Sequence, residues 1–227
     1  ADAYEDVVIV FNGEIYGFEQ ARQRCEARGS VIVSYIMQAI HDLDQSRDTG
    51  LATDKILRLT SDFIGIQSDI PMIYQHRAIA YHVAARRTLS TGVDPARVIQ
   101  DGLLAIETCQ RLAQGTDGTC ASLEAQLLVA DAEWRQQHQQ AFEASLIRAR
   151  SSAKQALRRA PTDADVLLAV ADARWRAARI QAAAGVGVRS EIEDGLAAVN
   201  QALTLAPSWP RALTVRASLQ ALRTHSL

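Results

Sequence analysis

The chain repeats itself, and this limits what it can fold into more than any single residue does. Ala84-Ala85-Arg86 returns as Ala177-Ala178-Arg179, and Gly92-Val93 returns as Gly185-Val186. At the same offset Asp101-Gly102-Leu103 returns as Asp194-Gly195-Leu196, and Leu112-Ala113 as Leu205-Ala206. A third copy lies between these two. Ala130-Asp131-Ala132-Glu133-Trp134 returns as Ala171-Asp172-Ala173-Arg174-Trp175, and Gln155-Ala156-Leu157 with Ala160-Pro161 returns as Gln201-Ala202-Leu203 with Ala206-Pro207. Recurrence at roughly 40–50 residues marks an array of helical units, each burying its apolar face only against its neighbours. The expected fold is all-α: a solenoid of antiparallel helix pairs, preceded by a small non-repetitive N-terminal segment.

Composition agrees and removes some functions. Gly (12) and Pro (5) are sparse in 227 residues, and Ala, Leu, Arg, Gln and Glu dominate the second half, which favours helix. The 24 basic and 26 acidic residues give a net charge of −2, so no broad field recruits nucleic acid or an anionic membrane. No apolar run approaches the roughly 18 residues of a spanning helix, so no membrane insertion is expected of this segment. The chain opens Ala-Asp-Ala without methionine, as a processed chain or a piece of a larger one would, and the periplasm is favoured over the cytoplasm.

The chain divides at residue 50. In 1–50, Val7-Val8-Ile9-Val10-Phe11 closed by Asn12-Gly13 reads as a short strand and turn. Residues 18–28 read as a helix stopped by Gly29, and the apolar run 31–40 as either a buried strand or the start of a helix. The repeat domain is 51–227. Thr53 or Asp54 caps a helix bearing Ile56, Phe63 and Ile66, and Pro71 opens the next, which ends at Thr91-Gly92. Asp94-Pro95 starts its partner, ending near 113. Two further pairs are expected at 122–138 with 142–160 and at 164–184 with 190–206, followed by a lone helix over 210–223 that covers the last apolar face. Gly102 and Gly195 fall inside second helices, where glycine costs about 1 kcal/mol relative to alanine, so each marks a close helix approach.

The endings at Ala160-Pro161 and Ala206-Pro207 resemble those of tetratricopeptide repeats, and the likeness runs over 71–227. It implies that Gly195, Val199 and Ala202 occupy packing positions, that Leu167, Val170 and Ala171 form a first-helix seam, and that the first helix of each pair lines a concave surface. The unit is longer than the family's usual length of about 34 residues, and Arg174 stands at the usual tyrosine position. The long, Arg-rich form is also similar to the region that follows the kinase domain in some bacterial serine/threonine protein kinases. No kinase motif is present, so that resemblance implies a sensor or docking portion alone. Phe18, Ala21, Cys25 and Gly29 followed by Ile32-Val33-Ser34 are similar to the first helix and second strand of C-type-lectin-like domains, whose Trp-rich, calcium-ligating half has no counterpart here.

No nucleophile elbow, phosphate loop or zinc-protease motif occurs, so neither an enzyme nor a cofactor is expected. His76 and His82 do not share a helix face at metal-ligand spacing, and no metal partner is expected either. The three cysteines are wrongly spaced for zinc. Cys109 and Cys120 either clip a helix–helix turn as a disulfide or stand as a buried hydrophobe and a loop residue. What remains is the concave face. By register it carries His82 and Arg86 in the first unit, Asp131, Trp134 and Arg135 in the second, and Asp172, Trp175, Arg176 and Arg179 in the third. An aromatic anchor beside an Asp–Arg pair suits a protein or peptide partner. The same residues can instead be inter-repeat packing with i, i+4 ion pairs on a solvated face. The function expected is a partner-binding repeat domain, the regulatory or docking part of a bacterial signalling or envelope protein. The alternative is a ligand-sensing domain of a transmembrane kinase that binds a small molecule.

Overall fold

A computed structural model describes residues 19–44 and 47–225. Among the described residues there are nine helices and no strand: α1 (Glu19–Asp44), α2 (Gly50–Ile66), α3 (Pro71–Ser90), α4 (Ala96–Leu112), α5 (Gly118–Gln137), α6 (Glu143–Arg159), α7 (Ala164–Ala183), α8 (Arg189–Leu205) and α9 (Pro210–His225). The strand expected at 7–11 lies outside the described residues. No helix among them is long and apolar enough to cross a membrane.

The helices keep a strict period. Each of α3, α5 and α7 has 20 residues, and each of α2, α4, α6 and α8 has 17. The long helices begin at 71, 118 and 164 and α9 begins at 210, so one unit spans 46 or 47 residues. Local chemistry sets these starts. Asp117 accepts hydrogen bonds from the amides of Thr119 and Cys120, and Asp163 from those of Asp165 and Val166, as N-cap carboxylates do. Pro71 and Pro210 open their helices, where the missing N–H costs nothing. The turn inside each unit needs a left-handed residue two places past the long helix. Gly92 (φ 69°) and Gly185 (φ 70°) supply it freely, and Gln139 (φ 56°) supplies it against steric resistance.

Helix pairs α1–α2, α3–α4, α5–α6 and α7–α8 pack against one another, in a repeat-like antiparallel arrangement. The odd-numbered helices also approach in sequence, α1 to α3 to α5 to α7 to α9, whereas among the described residues the backbones of the even-numbered ones stay apart, α6 and α8 meeting through the Arg150–Glu191 ion pair. The odd-numbered layer is therefore the more closely packed of the two. One apolar core runs from α5 to α9, with Leu128, Leu146, Val166, Val199 and Leu219 at its centre; a second joins α3, α4 and α5, and a third joins α1, α2 and α3.

The N-terminal expectations need correction. Gly29 does not stop a helix and Ile32-Val33-Ser34 is not a strand: α1 runs unbroken from Glu19 to Asp44. Ile32, Ile36 and Ala39 recur at helical spacing and bury against Ala52, Ile56, Phe63, Ile73 and Val83. Val33 and Met37 are exposed, so the run looked uniformly apolar only because both faces carry apolar residues. Helices α1 and α2 share a core across position 50, and α2 starts 46 residues before α4. Gly102 and Gly195 are both buried in second helices, and a Cβ on Gly102 would come within 2.7 Å of Leu127 Cδ1 and 3.0 Å of Tyr81 Cβ.

Candidate functional site

The period fixes which side chains share a face. Counting from the helix starts, Arg86, Glu133 and Arg179 are equivalent in α3, α5 and α7, as are His82, Val129 and Trp175. The Ala-Asp-Ala-x-Trp motif slips out of this frame by five residues, which turns a helix by about 140°. Trp134 therefore does not match Trp175. It lies in the last turn of α5, with its ring 3.6 Å from that of His138, and packs on the α3–α5 core. Asp131 pairs with Arg135 at 2.7 Å and accepts Ser145 Oγ–H at 2.5 Å, which ties α5 to α6. These three expected groove residues stand apart from the others.

The rest converge. Helices α3 and α7 make no backbone approach to each other, yet charges on both act on His82. The equivalent positions of α5, Gln126, Val129 and Ala130, are buried. Arg86 reaches down to Glu133 at 2.5 Å, and Arg176 is paired with buried Asp172 at 2.9 Å. Trp175 is half-buried, and the guanidinium carbons of Arg176 and Arg179 lie 5.1 and 5.2 Å from its ring centroid, within cation–π range. Arg211, in the first turn of α9, lies close enough for its charge to act on both His82 and Asp172.

The electrostatics follow from burial and from the sign of the neighbours. Burial pushes the His82 imidazole down to about 3, helped by Arg86, Arg176 and Arg211 and opposed by Asp172, so the ring is neutral at ordinary pH. Burial pushes the Asp172 carboxyl up, but Arg176 and Arg211 overcome this and hold it below the usual carboxylate range. Three guanidinium groups (Arg86, Arg176, Arg211) thus meet two carboxylates (Glu133, Asp172). Among the described residues His82 has no hydrogen bond and Arg211 no ion pair. Such a face offers an apolar plate, an uncharged ring and surplus positive charge to whatever enters.

Sequence reading missed Glu133 and Arg211. Glu133 was legible from the equal spacing of the capping residues Asp117 and Asp163, which aligns it with Arg86 and Arg179. Arg211 had no signal, because it comes from a different helix and meets Asp172 only through the fold. A cavity of about 610 Å³ beside Val188, Ile192 and Arg223 holds none of the residues named above.

The expectation of no metal involvement is overturned at the α4–α5 junction. Cys109, Asp117 and Cys120 bring one ligand atom each to within 4.8 Å of the others, a group compatible with metal coordination. Spacing along the chain concealed it, because the junction folds the last turn of α4 onto the first turn of α5. In this structure Cys109 and Cys120 are joined as a disulfide, with Cα atoms 6.6 Å apart.

Comparison of the chain with protein-family models, with curated proteins and with solved structures gave no match.

Proposed function

We propose that the chain is a non-enzymatic, tetratricopeptide-like solenoid whose inner groove binds a protein or peptide partner. It would serve as the regulatory or docking part of a bacterial signalling or envelope protein, similar to the region after the kinase domain in some bacterial serine/threonine kinases. The observation that carries this reading is the convergence of His82, Arg86, Asp172, Trp175, Arg176 and Arg211 from three helices onto one face. A buried cluster that served packing alone would close its charges on one another. This one leaves an imidazole without a hydrogen bond and a guanidinium without a partner beside a half-exposed tryptophan face. Aromatic and arginine side chains in partly enclosed sites are the residues that carry most binding energy at interfaces.

The test is selection of peptides from a random library on the purified chain. Selected peptides should bind Trp175→Ala/Arg176→Glu at least about tenfold more weakly, since the double change removes an anchor and adds repulsion. They should bind Ile147→Glu, altered at an exposed residue of α6, as they bind the parent. Peptides indifferent to the groove substitutions, or no selected peptide at all, would end the proposal.

A further inference from the structure

The α4–α5 junction carries chemistry that its sister junctions lack. In the repeat frame the positions of Cys109 and Cys120 are filled by Phe63 and Ile73 between α2 and α3, by Ala156 and Val166 between α6 and α7, and by Ala202 and Ala212 between α8 and α9. All of these are buried. Ordinary apolar pairs therefore close the same joint three times without sulfur, and packing does not call for cysteine.

Asp117 is the third member. Its Oδ1 caps α5, while its other oxygen accepts a hydrogen bond from the amide of Gln75 on α3. Arg159 reaches the Asp117 carbonyl at 3.5 Å. A carboxylate fixed by a neighbouring amide beside two sulfurs is how metal ligands are oriented. Cys120 also lies in the first turn of α5, where the helix N-terminus favours a thiolate.

We propose that this junction is a thiol-gated metal site, clipped when oxidised and binding a soft divalent cation of the zinc type when reduced. A dithiol reductant supplies two electrons to the Cys109–Cys120 bond. The bond cleaves, each sulfur takes a proton, and the reductant leaves as its own disulfide. The cation then displaces both thiol protons to solvent and is held by two thiolates and the Asp117 carboxylate. Two sulfurs on a tetrahedral zinc ion stand about 3.8 Å apart, given Zn–S bonds of about 2.3 Å. Cys109 and Cys120 are fully enclosed, whereas Asp117 is partly exposed, so the fourth position opens on the carboxylate side. Two thiolates and one oxygen select zinc-like ions over magnesium or calcium.

The test uses the full chain with Cys25→Ser, so that only the junction cysteines remain. After reduction by dithiothreitol and anaerobic desalting, Co²⁺ titration should give a thiolate-to-cobalt charge-transfer band saturating at one ion per chain. Added Zn²⁺ should abolish the band, and the oxidised chain should give none. Asp117→Asn keeps an N-capping side chain but loses the anionic ligand, so affinity should fall on the order of tenfold or more. Asp163→Asn, altered at the equivalent cap with no cysteines nearby, should bind as the parent does. Cys109→Ala/Cys120→Val reproduces the pair found between α6 and α7. It should keep the helical circular dichroism and bind no cobalt at the junction. A reduced chain that takes up no more cobalt than this double variant would overturn the proposal. Undiminished affinity in Asp117→Asn would overturn the three-ligand assignment.

Discussion

Helix α7 carries charge on two opposite sides and treats it in opposite ways. Asp172 and Arg176 point into the groove, while Arg174, about 200° round the helix from Asp172, points outward between α6 and α8. There Arg174 is 4% exposed and Glu191 1%, and they pair at 2.7 Å. Arg150 closes on the other oxygen of Glu191, and Asp194 holds the second nitrogen of Arg174 at 3.2 Å. Two arginines meet two carboxylates and the cluster is shut. On the groove side three arginines meet two carboxylates around a neutral histidine, and the cluster is left open. The difference separates a charge network that fastens repeats together from one that keeps a surplus cation. Burial alone would not have separated them, since Asp172 is 5% exposed and His82 8%.

The largest expected effect is on the sealed side. Glu191→Ala leaves the buried Arg174 guanidinium, whose Nε already lacks a partner, with only the half-exposed Asp194, and breaking a buried pair from one side costs about 3–5 kcal/mol. Urea denaturation should show a loss of that order. A loss under about 1 kcal/mol would mean that water reaches Arg174 and that the two faces are alike.

Next is Gly195→Leu. Even a Cβ there would lie 3.1 Å from Arg174 Cβ and from both δ-carbons of Leu219, so three further carbons must displace the α7–α9 packing. Overpacking of this kind costs about 1–3 kcal/mol, read as a lower urea midpoint at unchanged slope. An unchanged midpoint would show that α8 can lift away and that the sealed face is loosely closed.

Trp175→Ala bears on the boundary between the faces. A fully enclosed tryptophan costs about 3–5 kcal/mol to truncate. Trp175 is half-buried, with arginines rather than core on its outer side, so about 2 kcal/mol is expected. A loss at the top of the enclosed range would assign the ring to the core and remove it from the groove.

Much of this was legible in the sequence, and the failures share a cause. The offset linking Gln155 to Gln201 is one period and that linking Gly92 to Gly185 is two, so the three helix pairs from 71 onward and the single helices flanking them fall within a few positions of the expected ones. Turns and proline endings are local devices and survive in sequence. The Trp134–Trp175 match misled because alanine-rich helices reuse similar words in different registers, and only the caps at Asp117 and Asp163 expose the slip. Helix α5 starts at Gly118, four residues before the expected 122, because Asp117 and not a residue near 121 caps it. Helix α1 was obscured by Val33 and Met37, apolar residues left on the outside. The groove as a whole was only half legible. Trp175, Arg176, His82 and Arg86 follow from register, but the placement of Arg211 and the burial of His82 depend on how α3, α7 and α9 come together, which no local pattern records.

The smallest effect tests whether the open cluster is open. An unfolded histidine takes up its proton near pH 6.5, whereas folded His82 does so only near pH 3. Between those values the unfolded state holds the extra proton, so stability is complete above about pH 6.5 and declines as pH falls toward 3. Asp172, whose folded pKa is depressed, adds a loss in the same direction only below about pH 4, near the unfolded value. The interval between pH 6.5 and about 4.5 therefore reports on His82 together with His76, whose imidazole burial also pushes down, and His82→Phe should remove the His82 share of the decline. Arg211 is the least of the cations pressing on that ring and belongs to no ion pair among the described residues. Arg211→Gln should leave stability at pH 7 within about 0.5 kcal/mol. It should move the His82 titration, followed by NMR of the imidazole protons, upward toward the unfolded value, so that the acid decline becomes shallower. If instead the variant loses more than about 1 kcal/mol at pH 7 with the titration unmoved, Arg211 is a fastening residue. The groove cluster would then be as closed as the one around Glu191.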